Sequence, residues 1–198
     1  MYKLCKTKQS AQRQRVIENT LFLLMKKKNY SEITVTEMCI VLDNMPRKTF
    51  YRYFDSKDDA LYALIEHTML DYSDFHEKSI MGTDRMLKKE IYSFLNFWVE
   101  NKEFLDVFNR NGMLDKIIEV SANLPIGDLV SISKFLPDDS EWAQKKIFKF
   151  AIGGLITAML DWYKEDFKTN ISDMVELCCR ILSKPLFPNL KMIGISVD

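Results

Sequence analysis

Apolar residues recur at three-to-four spacing through most of the 198-residue chain, and no run alternates with the period of two that a half-buried strand requires. A chain written this way buries its stripes by packing helix on helix. Only six Gly and five Pro punctuate it, mostly where one helix would give way to the next: Pro46, Gly82, Gly112, Pro125, Gly127, Pro137, Pro185 and Pro188. The pattern predicts an all-α fold. With 47% hydrophobic and 28% charged residues the composition is that of an ordinary globular protein. No repeat or low-complexity linker is evident, so two domains would have to share a helix or a packed junction.

The formal net charge is zero, but the charge is unevenly placed. Residues 1–57 carry 12 Lys/Arg against 5 Asp/Glu, and residues 58–198 carry 16 against 23. A basic segment fused to an acidic remainder points to a polyanionic partner for the basic part, with chance clustering as the alternative. The four cysteines, Cys5, Cys39, Cys178 and Cys179, contain no CxxC pair, and neither His67 nor His76 sits at ligand spacing from them, so neither a disulfide framework nor a metal site is expected. Cys178 and Cys179 read as small core residues. The first residues lack the apolar stretch of a signal peptide, and the longest apolar run, residues 151–160, is too short to span a bilayer. The expectation is a cytoplasmic protein without membrane contact, metal or cofactor.

Residues 10–28 read as a first helix with Val16, Ile17, Thr20, Leu21, Leu24 and Met25 as its apolar stripe and Lys26, Lys27 and Lys28 at its negative end. After a turn at Asn29-Tyr30-Ser31, Thr34 and Glu37 stand in the T-x-x-E arrangement: Thr34 caps a second helix from Val35, and Glu37 reaches back to the cap's own N–H. Met38, Cys39 and Leu42 make its inner face. Asp43-Asn44 signals a turn, because Asn tolerates the left-handed conformation that ends a helix. Pro46 opens a third helix, to about residue 53, in its first turn. Met45, Thr49, Phe50 and Phe54 can face the core there, leaving Arg47, Lys48, Tyr51 and Arg52 outward. Two short helices joined by a tight turn, the second offering cations and hydroxyls, is how a helix enters the major groove.

The run ITVTEMCIVLDNMPRKTFYRYFDSKDDALYALIE, residues 33–66, resembles the helix-turn-helix of tetracycline-repressor (TetR)/AcrR-type regulators. In that family a "T-V-x-x-I-A" second helix leads through a turn to "T-[LF]-Y-x-[HY]-F" and then to "S-K-x-x-L". The matching positions are Thr34, Val35, Met38, Cys39, Thr49, Phe50, Tyr51, Tyr53, Phe54, Ser56, Lys57 and Leu61. The match spans about 55 residues and fades beyond them. Where the family commonly has Gly-Val-Ser and then Gly, this chain has Asn44-Met45-Pro46 and then Lys48. Asn44 can do the glycine's backbone work, while Lys48 adds a cation in the recognition helix, so no operator sequence carries over.

The resemblance implies about nine helices: a three-helix DNA-binding domain over residues 1–57 and a helical effector-binding and dimerisation domain over 58–198. It implies double-stranded operator DNA and a second copy of the chain as partners, and a small apolar or aromatic effector that releases a repressor. Arg47 and Lys48 are placed to reach guanine or flanking phosphates, Thr49 and Tyr51 to meet phosphate or a thymine edge, and Lys57 to hold a phosphate at a helix start. Thr34, Thr36 and Pro46 complete the candidate contacts with Arg52 and Tyr53, which read equally as a solvated charge and a packing residue. Lys3, Lys6, Lys8, Arg13 and Arg15 form a basic lead-in, a DNA-contacting or merely solubilising arm.

The remaining helices read at 58–80, with Ser56 as N-cap, then 84–100, 102–110, 113–122, 127–136, 140–166 and 170–184. Phe94, Phe97, Trp98, Phe104, Phe108, Met113 and Ile117 are candidate effector-site residues, although at helical spacing such a set is more often core than pocket. The last two helices carry more apolar surface than one helix face needs, with Ala151, Gly153, Gly154 and Ala158 permitting close approach, and read as the dimer interface. No catalytic constellation is present: the glycine loops, H-E-x-x-H motif and Ser-His-Asp set are missing, and both histidines read as surface residues. The alternative to a specific regulator is a helical adaptor using the head for protein contact or non-specific DNA association.

Overall fold

The computed structural model describes residue 5 and residues 7–77, 86–124 and 140–183, with only the backbone of 73–77 and 86. Among them nine α-helices and one 3-10 turn account for the regular structure, and no strand occurs. In chain order these are α1 (Lys8–Met25), the 3-10 turn Tyr30–Glu32, α2 (Val35–Val41), α3 (Arg47–Phe50), α4 (Lys57–Glu77), α5 (Met86–Glu100), α6 (Lys102–Arg110), α7 (Leu114–Ser121), α8 (Glu141–Lys164) and α9 (Ile171–Ser183). The expected helices at 84–100, 102–110, 113–122, 140–166 and 170–184 are met to within two residues. The expected helix at 127–136 lies outside the described residues.

One continuous core runs from head to body. In the head, Ile17, Leu21 and Met25 of α1 close on Met38, Phe50 and Phe54, all essentially without solvent exposure. The long helix α4 packs against α1 on one side and against α5 and α7 on the other. It therefore links the N-terminal helices to those that follow. Its first turn is capped by Ser56, whose Oγ accepts the Asp59 N–H at 3.1 Å, and carries Asp58 and Asp59 against the positive end of the dipole. In the body α9 packs along α5, and α7 against α8.

The stripe of α1 extends beyond the apolar residues. Gln14 and Glu18 are fully buried, while Val16, expected inside, is 40% exposed. His67 on α4 is also buried, which corrects its reading as a surface residue: its Nδ1 lies 2.7 Å from Glu18 Oε2. The side chain of His76 lies outside the described residues. Burial raises the Glu18 pKa against the lowering effect of its bond to His67. One turn on, Arg15 grips Asp71 with both terminal nitrogens, at 3.0 and 2.6 Å. Two polar clamps thus join α1 to α4.

Candidate nucleic-acid interface

The head presents α2 and α3 across a tight turn. Thr34 Oγ1 accepts the Glu37 N–H at 3.1 Å, the expected cap, but the Glu37 carboxylate does not close the box. It pairs instead with Lys28, three residues past the end of α1. The reciprocal bond forms one element earlier, where the Asn29 N–H donates to Glu32 Oε2 at 3.2 Å. The chain leaves α2 through two successive left-handed residues, Asp43 (φ 51°) and Asn44 (φ 55°), and the Met45 N–H returns to the Cys39 carbonyl at 2.9 Å. Asn44 thus takes the left-handed conformation expected of it, with Asp43 sharing the reversal.

Pro46 stands at the N-cap of α3 with φ −55° and ψ 131°, one position before the first helical turn where it was expected. The regular helix closes at Phe50, and residues 51–53 continue as hydrogen-bonded turns. Phe50 and Phe54 anchor this segment in the core with ring centroids 5.6 Å apart. That anchoring leaves Pro46, Arg47, Lys48, Tyr51 and Arg52 exposed along one edge, together with Thr34 and Thr36 at the start of α2. Thr49 is half-buried, and Tyr53 is half-buried against the core. Arg47 Nη2 donates to Tyr51 Oη at 3.3 Å, with its guanidinium carbon 5.9 Å from the centre of that ring.

Lys57 is turned inward. Its ammonium donates to the carbonyls of Tyr30 at 2.6 Å and Ile33 at 2.8 Å, and lies 3.9 Å from the centre of the Tyr30 ring. Burial lowers its pKa, with Asp58 opposing that shift.

Tyr30, read from the sequence only as part of a turn, is a junction. Its phenol donates to Asp58, its carbonyl receives Lys57, and its N–H donates to Asn111 Oδ1 from the α6–α7 turn at 2.6 Å. No local pattern announces this, because the partners lie 27, 28 and 81 residues away. Lys26 pairs with Glu103 at 2.6 Å and Phe22 stacks on Phe104 at 5.6 Å, so α6 also supports the head. Several of the head's cations are therefore structural: Arg15, Lys26, Lys28 and Lys57 all have protein partners. Lys3 and Lys6 lie outside the described residues, and Lys8 and Arg13 are exposed.

The candidate effector residues are brought together. Phe94, Phe97, Trp98, Phe104, Phe108 and Ile117 are buried and Met113 half-buried. Phe104 stacks on Phe108 at 4.3 Å, Trp98 lies 6.1 Å from Phe104, and Tyr72 meets both Phe94 and Phe97 edge-on. They pack on one another, and the Trp98 indole N–H is buried with no hydrogen-bond partner among the described residues. Clefts open elsewhere: one of about 840 Å³ beside α7 and α8, and one of about 150 Å³ between α8 and α9, both bordered by Phe150 and Gly154. No group of three or more metal-ligating side chains forms among the described residues, and none of their helices is long and apolar enough to cross a membrane.

No protein-family model matches the sequence, and no curated protein matches it. Among solved structures the chain is similar to the fatty acid degradation regulator FadR from Bacillus halodurans, with a TM-score of 0.54 at 19% identity over 92% of this chain and 98% of that one. The dihydroxyacetone kinase operon activator DhaS superposes with a TM-score of 0.49 at 16% identity, over 85% and 93% of the two chains. The chain has the all-helical fold of FadR.

Proposed function

We propose that this chain is a dimeric, sequence-specific DNA-binding transcription regulator of the TetR type, a repressor released from its operator by a small apolar or aromatic effector. The observation that carries the reading is the edge of α3. One turn of helix, anchored by buried Phe50 and Phe54, holds Pro46, Arg47, Lys48, Tyr51 and Arg52 out to solvent beside the capped start of α2. That is the arrangement by which a second short helix enters the major groove. The likeness to FadR, itself a regulator, supports the same reading.

A second copy is the natural cover for the outer faces of α8 and α9. Phe150 is 72% exposed there, beside Ile147, Leu177, Ile181 and Leu182, and the space next to Gly153 and Gly154 is open among the described residues. Reading a palindrome needs two recognition helices about 34–36 Å apart, which a two-fold dimer supplies. Release would work through α4, because α4 packs on α1 in the head and on α5 and α7 in the body. An effector opening the aromatic cluster between these helices would shift α4 and the spacing of the heads, and a differential affinity of a few kcal/mol, about 5.5 for a complete switch, is enough.

The test is binding to the duplex flanking the chain's own gene against a scrambled duplex, across a salt series. A regulator prefers the native duplex by about 10³-fold or more at moderate salt. Equal affinity, falling in parallel with salt, would leave a non-specific DNA binder or adaptor instead.

A further inference from the structure

Within the reading of α3 as a recognition helix, its two leading cations differ in what holds them. Arg47 and Tyr51 are four apart, so they lie on the same face of the helix. The phenol oxygen accepts from Nη2 at 3.3 Å, and the ring flanks the guanidinium at 5.9 Å. The ring is held in turn by Phe50, edge-on at 5.4 Å, and Phe50 is fully buried. A chain of contacts therefore runs from the core to an exposed arginine. Lys48, next in sequence, is exposed and has no hydrogen-bond or ion-pair partner among the described residues.

These two states suit different tasks. A planar guanidinium held in one orientation has already lost part of the rotamer freedom that docking would remove, and its fork matches the O6 and N7 acceptors of guanine in the major groove. A free ammonium on a flexible stem is a point charge that meets a phosphate from many directions and carries no base preference.

We infer that Arg47 is the base-reading residue of α3, directed at the major-groove edge of a guanine, that Tyr51 is its positioning residue, and that Lys48 contacts the phosphate backbone. This inference rests on the DNA-binding reading and divides the work within it. Tyr51 then acts on base preference through Arg47, and its hydroxyl is not primarily a phosphate contact.

The experiment measures binding of the full-length protein to its preferred duplex and to duplexes with each base pair of the half-site replaced in turn. Variants are Arg47→Lys, Tyr51→Phe, Tyr51→Ala and Lys48→Gln, with circular dichroism melts to verify folding. Arg47→Lys is expected to lose about ten- to hundredfold of discrimination at one G·C pair and little elsewhere. Tyr51→Ala should relax the same base pair, with Tyr51→Phe, which keeps the ring, lying between it and the wild type. Lys48→Gln should weaken binding to all duplexes alike and lower the salt slope by about one.

Retained preference at every base pair in Arg47→Lys overturns the inference, as does relaxation at a single base pair in Lys48→Gln. A Tyr51→Ala loss that is uniform across duplexes would make Tyr51 a phosphate contact and refute its positioning role. If the wild-type protein shows no preference to begin with, the regulator reading itself fails, a result separable from the other three.

Discussion

Burial changes what a residue's charge is worth, and Glu18 is the sharpest case. Its side chain is fully buried with one oxygen 2.7 Å from His67 Nδ1 and the other without a hydrogen-bond partner among the described residues. Arg15 and Asp71 are the further charges acting on it. Desolvation favours the protonated carboxyl, so its pKa in the folded state lies above the unfolded one. The stabilising contribution of that shift is complete below the ordinary carboxylate range and is lost as pH rises through the folded value. We expect Glu18→Gln to gain stability relative to wild type as pH rises out of that range, the difference then levelling off. Urea unfolding of both proteins from pH 4.5 to 8 measures this; a difference that is flat with pH would refute it. The same logic explains the head's surplus charge. Net charge counted Lys57 toward a polyanion, whereas its ammonium satisfies two carbonyls at the 3-10 turn.

At the scale of elements, the local rules worked where the partners are local. Thr34 and Ser56 cap the helices that follow them, and the inward set Met38, Phe50 and Phe54 is the one that 3.6-residue periodicity selects. The capping box at Glu37 did not form, because Lys28, in the bend that follows α1, offers that carboxylate a charged partner. The α2–α3 turn depends on backbone conformation more than on contacts. With Asn44 at φ 55°, Asn44→Ala should cost about 1 kcal/mol, since Cβ penalises the left-handed region and alanine lacks the local hydrogen bonding that eases it for Asn. Asn44→Gly should stay within about 0.5 kcal/mol of wild type. Chemical denaturation decides between these, and an alanine variant as stable as the glycine one would show that the turn is not strained.

For the whole molecule the question is how the proposed DNA-binding head is tied to the rest of the 198-residue chain. The head is held to the body at several points: the two polar clamps between α1 and α4, the Phe22–Phe104 stack with the Lys26–Glu103 pair, and the Asn111 bond to Tyr30. Motion of α4 or α6 would therefore carry the head with it. The proposed dimer can be tested apart from DNA. Phe150→Asp places a charge on the most exposed apolar side chain of the α8–α9 face, where burial against a second copy would cost several kcal/mol. We expect a monomer by light scattering at micromolar concentration, with unchanged helix content and weakened binding to a two-half-site duplex. A variant that remains dimeric would move the interface elsewhere.

Periodicity, caps and breakers made the all-α fold, the limits of the described body helices α5 to α9 to within two residues and the outward edge of α3 legible from the sequence alone, because each depends on neighbours within about four residues, while α1 and α3 both end three residues before the expected limit. Tertiary structure alone decided which cations stay free for a partner, that His67 is buried against Glu18, and that Tyr30 joins three elements. Those outcomes depend on groups 9 to 81 residues apart in the chain and on different elements, whose meeting no local pattern encodes. The aromatic set of the body stands between the two: its members were visible at helical spacing, but whether such a set closes into core or opens for a ligand is a matter of packing.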